Sequence, residues 1–420
     1  MKTSRVGYTL LGVEVVLLLA GGSPQAFHSG GVAECTGCHS MHSPKAGGSY
    51  LLIGTDPSST CLSCHMVPGN LTPSSYHIAT ADADMGAGKS PIQRTPGGDF
   101  GWLRKSYTMT IRSVTSTEYG QTHGHNIVAA DTPFVADPDN VTAPGGTFAS
   151  ANLGCESCHD PHGGVRRLST GVYANVIHTP GANNAPVIGS GSYNNSAAPA
   201  AGQAVGAYRL LRGLGDSSQG VVFSGVAIAI APSTYNQSEA TNQVRVAYGA
   251  SGINTWGNWC ATCHPGMHSS GNYVHPIDQS LSDAVANNYN AYVKSGDLTG
   301  SASTSFTSLV PFAENTGDIP TLQAHATNTN SYRNGPGSSD KVMCLSCHRA
   351  HASGWPEALR WNMEGEFMIY QGLYPGTDNA ASSYARGRLA VETQAAYYDR
   401  PVTAFATYQR VLCNKCHAKD

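Results

Sequence analysis

The chain has 420 residues and a formal charge of −3, with 24 Lys and Arg against 27 Asp and Glu. No basic cluster stands out, which excludes the electrostatic footprint of a nucleic-acid binder. Charged residues make up 12 % of the chain, against about a quarter in ordinary domains, and glycine fills 48 positions. Large aliphatic residues are sparse, so a core of ordinary size needs apolar surface from somewhere else.

The chain opens with Met1, Lys2 and Arg5, then a mostly apolar run from Val6 to Ala20, then small residues to Ala26. That order reads as a signal peptide over 1–26, cleaved to leave Phe27 first, with Glu14 and Pro24 as irregularities. The run is short of the roughly 20 residues that span a bilayer, and no later stretch approaches one. The expectation is an exported protein whose residues 27–420 form one unit.

Next comes Cys35-Thr-Gly-Cys38-His39, and the same C-x-x-C-H spacing returns five times. The further copies are Cys61, Cys64, His65; Cys155, Cys158, His159; Cys260, Cys263, His264; Cys344, Cys347, His348; and Cys413, Cys416, His417. Together they consume all 12 cysteines. A disulfide framework or zinc ribbon does not explain a histidine after every second cysteine. The spacing is that of c-type haem attachment, two thioethers to the ring and an imidazole beneath the iron. Six haems per chain also supply the missing apolar surface, and export suits their attachment outside the cytoplasm.

Between motifs the reading is irregular coil with short α-helices and little β, organised around a stacked haem chain. The first two motifs are 21 residues apart and the later gaps run from 64 to 100. Gly181 to Gly206 reads as loop, and "GVVFSGVAIAIAP" as a short strand. Residues 281–296 read as a helix capped by Ser282 or Asp283 and ended by Gly296. A last helix after Pro401 carries the sixth motif. No repeat beyond the motif itself is evident, and no acidic calcium loop.

A six-coordinate iron needs a second axial ligand. Of 17 histidines six are proximal and eleven remain, while the methionines show no regular placement. Bis-histidine ligation is the expectation. His42, His162, His268 and His351 each follow a proximal histidine by three or four residues. So close behind, such an imidazole lies on the wrong side of its own haem and serves another. His77, His125, His275 and His325 complete the candidates. His268 and His28 stand below the others, and His123 and His178 fall outside the set.

The runs "FHSGGVAEC", "PSSYHIATADADM", "TPGGDFGW", "GHNIVA", "CHDPHG", "CLSCHRAHASG" and "LCNKCHAKD" resemble the outer-membrane cytochrome S type of hexahaem cytochrome. That family forms filaments in metal-reducing bacteria. The resemblance covers nearly all of 27–420 and implies electron transport rather than catalysis. It implies a head-to-tail helical homopolymer at the outer cell surface. Electrons would come from periplasmic or outer-surface cytochromes and pass to insoluble metal oxides, electrodes or partner cells. It further implies that His42 ligates the fifth haem, on Cys344, Cys347 and His348, of the neighbouring subunit. Residues alone leave two other classes open. One is a monomeric periplasmic electron carrier. The other is a multihaem oxidoreductase, which needs an iron with an open position.

Overall fold

The computed structural model describes residues 35–45, 50–74, 76–86, 88–175, 198–232, 235, 238–267 and 275–417. The proposed signal peptide and most of the 181–206 segment lie outside these. Loops dominate. Among the described residues the longest helices are Ser282–Ala291 and Pro57–His65, and five small sheets hold two or three strands each. Among the described residues no helix is long and apolar enough to cross a membrane.

Some of these short helices begin on a clear local signal. Asp56 caps Pro57–His65 by accepting from the Ser59 amide at 2.7 Å, with Pro57 at the first position. The 281–296 helix is shorter than its pattern suggests. It runs Ser282–Ala291, with no side-chain cap, and stops at Tyr292. Gly296 instead serves at φ +76° in the turn that pairs Lys294 with Asp297. The expected terminal helix is also replaced. Gln409–Arg410 pairs with Phe367–Ile369 as a strand, and among the described residues of that stretch only the 3₁₀ turn Val402–Ala404 and Asn414–His417 are helical. Pairing with a distant segment overrides local helix propensity there. Ala204–Gly206, read as loop, is a buried strand beside Val165–Leu168. The strand expected near 220–232 forms in two pieces, Val221–Val222 and Ile228–Ile230.

Buried aromatics gather around the motif thiols. Trp102, Trp355, Trp361, Tyr289 and Tyr397 belong to one cluster that packs on Cys155, Cys347, Cys413 and Cys416. Trp256, Trp259 and Tyr248 form another that packs on Cys158 and Cys260. The apolar interior therefore follows the attachment sites instead of filling one central core.

Three extended segments cross near the middle of this interior: Gly97–Gly98, His123–His125 and His351–Ser353. The His351 amide donates to Gly97 O at 2.7 Å, the His125 amide to His351 O at 2.9 Å and the Ser353 amide to His123 O at 3.0 Å. The fully buried Asp99 carboxylate anchors the first segment. It accepts from the amides of Thr80, Gln93 and Gly101 and from the Thr80 hydroxyl. Glycine at 98 is required twice over. Its φ is +97°, and a Cβ there would stand 1.7 Å from Ala352 O.

Gly98→Ala is expected to destabilise the protein by at least about 2 kcal/mol, from backbone strain plus the clash. Thermal unfolding should show a Tm lower by several degrees, and the ferric spectrum should gain a high-spin component as the His351 segment shifts.

Candidate haem-binding sites

All six C-x-x-C-H motifs fold as a helical turn. The histidine amide donates back to the first cysteine's carbonyl, at 2.8 Å from His39 to Cys35, 2.9 Å for His159 and His348, and 3.1 Å for His264 and His417. His65 closes the Pro57–His65 helix. Residues three and four apart share one helix face. The turn therefore presents two thiols and one imidazole together, as thioether attachment plus proximal ligation demands.

A second contact aims the imidazole. Nδ1 of His39 donates to Tyr50 O at 2.8 Å, His65 to Tyr76 O at 2.6 Å, and His159 to Arg209 O at 2.9 Å. His264 donates to Pro144 O at 2.9 Å and His348 to Glu357 O at 2.7 Å. With the proton held on Nδ1, Nε2 keeps its lone pair for a metal.

Opposite these rings stand other histidines. His39 and His162 have ring centroids 6.3 Å apart, His264 and His125 6.0 Å, and His417 and His275 6.2 Å. Two imidazoles on opposite faces of one metal ion, each nitrogen about 2 Å from it, have centroids about 6 Å apart. The residues thus fit bis-histidine haem. His351 lies close enough to His159 to disfavour its protonation. Burial and that neighbour push His351 down to about 3. Burial, then His264, pushes His125 down to about 4. Both rings are neutral at neutral pH, the form that binds a metal. His77 is buried and interacts with His65.

The remaining candidates differ. His325 meets none of the proximal rings. Its Nδ1 lies 2.6 Å from Glu314 Oε2 and it stacks on Tyr332 at 4.1 Å. His123 engages Trp102 O and Glu118 with its two ring nitrogens. His42 lies on an exposed arm, residues 41–45. His28, His178 and His268 lie outside the described residues.

A repeat that the spacing alone conceals joins the first, third and fifth motifs. In each, the proximal histidine pairs with a leucine on a returning segment: Leu52, Leu211 or Leu359. The next residue's amide (Ser40, Asp160, Arg349) donates to the carbonyl before that leucine, at Leu51, Leu210 or Ala358. The residue after the leucine (Ile53, Arg212, Arg360) donates to the second cysteine's carbonyl. Each return bends through positive φ, at Leu51, at Arg209 and Leu210, and at Glu357 and Ala358. This bend turns the accepting carbonyl towards Nδ1. The same three motifs, and no others, continue as C-x-x-C-H-x-x-H, through His42, His162 and His351. The signal was present in "YLLI", "RLLR" and "EALR", each ending just past the paired leucine.

The motifs adjoin one another in chain order. Cys38 interacts electrostatically with Cys64, Cys61 with Cys155, Cys158 with Cys263, Cys260 with Cys344, and Cys347 with Cys413 and Cys416. A haem carboxylate would also find a counter-charge here. Arg349 is 2 % exposed, and its Nε and Nη2 have no protein acceptor. Its Nη1 reaches Pro96 O at 3.2 Å and its guanidinium covers the Tyr398 ring at 3.6 Å. Neighbouring Arg360 is also buried, pushed down to about 10 by burial and by Arg349. Buried N–H groups of this kind call for an anion, and a haem propionate is one.

No family model matches the chain. It is 46 % identical over 431 residues to the C-type cytochrome OmcS of Geobacter sulfurreducens, covering 96 % of each chain. Two solved structures are similar at 46 % identity, covering 94 % of this chain and 100 % of theirs. They are the OmcS nanowires from Geobacter sulfurreducens seen by cryo-EM, with a TM-score of 0.86, and the Outer Membrane Cytochrome S filament from Geobacter sulfurreducens, with a TM-score of 0.85. With an attachment turn and an aimed imidazole repeated along it, the chain belongs to the OmcS family of multihaem c-type cytochromes.

Proposed function

We propose that this chain is the subunit of an extracellular filament that conducts electrons through six haem c groups. Haem c supplies reversible one-electron chemistry when bound. The protein's own residues fix spacing, axial ligation and shielding. Donors would be other periplasmic or outer-surface cytochromes, and acceptors insoluble metal oxides, electrodes or partner cells.

One observation carries the polymer. The second histidine of each C-x-x-C-H-x-x-H unit serves the preceding unit of its kind. His162 of the third motif opposes His39 of the first. His351 of the fifth interacts with His159 of the third. Among the described residues His348 of the fifth has no such donor left: its histidine neighbours are His264, His275 and His125, of which His264 and His125 pair with each other and His275 with His417. At the other end His42 is exposed, with no earlier unit in its own chain. Continuing the same hand-over sends His42 to His348 of a second copy. Met41, 76 % exposed, and Tyr50, 70 % exposed, flank it with apolar surface suited to a protein contact. A contact between unlike ends does not close on itself and propagates as a helical filament.

The distal ligands then read His162, His77, His351, His125, the neighbour's His42 and His275 for haems one to six. Surplus histidines have other duties, His325 with Glu314 and His123 with Glu118. A monomeric carrier would leave the fifth haem without its second imidazole, as would an enzyme built on that haem.

His42→Ala should leave all six haems attached but abolish filaments in electron micrographs, with about one haem in six high-spin in the ferric spectrum. Filaments of normal length from that variant would refute the hand-over. His325→Gln should leave the low-spin spectrum and the filaments unchanged. A new high-spin fraction would make His325 a ligand and displace one of the assignments above.

A further inference from the structure

The His42 arm is held at both ends, and the two anchors differ in kind. On the near side the Ser40 amide donates to Leu51 O at 2.6 Å and His39 donates to Tyr50 O. On the far side, beyond Ser43 and Pro44, the Lys45 amide reaches Leu52 O at 3.1 Å. The Lys45 ammonium then pairs with Asp131 at 2.7 Å. Asp131 is far away in sequence and firmly placed. It accepts from the Thr55 amide at 3.0 Å and the Thr55 hydroxyl at 2.6 Å. Its own amide donates to the Ser59 hydroxyl, and the amide of Ala130 donates to Asp56, the cap of the helix that carries Cys61. The corresponding histidines need no such device. His162 sits above Asp160, whose carboxylate accepts the His162 and Gly164 amides, and His351 is half-buried and stacks on Phe100 at 4.7 Å.

We propose that Asp131 is a positioning residue for assembly: its ion pair with Lys45 sets the attitude in which the exposed arm offers His42 to a second copy. This rests on the reading that His42 completes a neighbour's haem. Lys45 and Thr55 hold the Asp131 carboxyl down at about 2. The pair is therefore charged throughout the working pH range, and ionic strength is what weakens it. An exposed pair contributes modestly, so the effect sits in how readily subunits join and not in whether one folds.

The test compares filament assembly by the full holoprotein for wild type, Asp131→Asn, and the swapped pair Lys45→Asp with Asp131→Lys. Asn keeps an oxygen for Thr55. Asp131→Asn should raise the concentration needed for assembly roughly two- to five-fold, with unchanged haem content and monomer Tm. Assembly of wild type should weaken between about 0.15 and 1 M salt as screening shortens from about 8 to 3 Å; Asp131→Asn should lose most of that dependence. The swapped pair should recover assembly. Wild-type assembly by Asp131→Asn, or equal impairment in the swap, overturns the inference. His42→Ala separates the two ideas. If it assembles normally, both fall; if it fails while Asp131→Asn is normal, only the positioning role falls.

Discussion

The hydrogen bond from a proximal imidazole Nδ1 to a backbone carbonyl is the constraint that the rest of the fold serves. A cysteine pair fixes where a ring is tethered, but not how the imidazole beneath it is turned. The carbonyl does that, and it must arrive from another part of the chain. Tyr50, Tyr76, Pro144, Arg209 and Glu357 supply it. In the first, third and fifth sites the supplying segment bends through left-handed backbone at non-glycine residues. Such conformations cost energy and persist where the surroundings over-determine them. A chain that must deliver carbonyls to so many places cannot spend its length on long helices, so loops dominate.

The same economy governs charge. With few ionisable residues, those buried have specific partners. Glu118 faces both Arg388 and His123, Glu314 faces Arg245 and His325, and Glu239 faces Arg400. His123 and His325 are thereby drawn into carboxylate pairs. Arg245, Arg388 and Arg400 leave only Nε without a protein acceptor, whereas Arg349 leaves both Nε and Nη2. A cofactor that brings its own carboxylates makes an otherwise costly buried cation reasonable.

Attachment chemistry was legible in the sequence because covalent spacing is local: two thiols and an imidazole must lie within five residues. Coil as the dominant state followed from composition. The distal pairings were less legible, since an H-x-x-H pattern says that the second ring serves another site and not which one. His162 opposing His39 spans more than a hundred residues of chain, and only the crossing of distant segments decides it. A lone histidine such as His325 carries no mark of its partner in the sequence; Glu314 and Tyr332 are brought to it by tertiary folding. The helix expected after Pro401 failed for a similar reason. Gln409 is fully buried, bonding Tyr292 and Ser295 across the interior, and that network holds its stretch extended.

The proposed hand-over of histidines would also make the two ends of the subunit unlike. If each unit supplies an imidazole to the unit before it, a finite row always ends with one imidazole unspent and one site unfilled. On the proposed reading the unspent group is His42, on an exposed arm. The unfilled site would then be at His348, with Arg360 and the Glu357–Ala358 bend around it. The second, fourth and sixth sites would draw on His77, His125 and His275, which follow no hand-over and leave no remainder. Polymerisation then requires no recognition device beyond those already used inside the chain. On this proposal the joint between subunits would be one more step of the repeat, made between molecules instead of within one, and the file of attachment sites would run through it without a change of pattern.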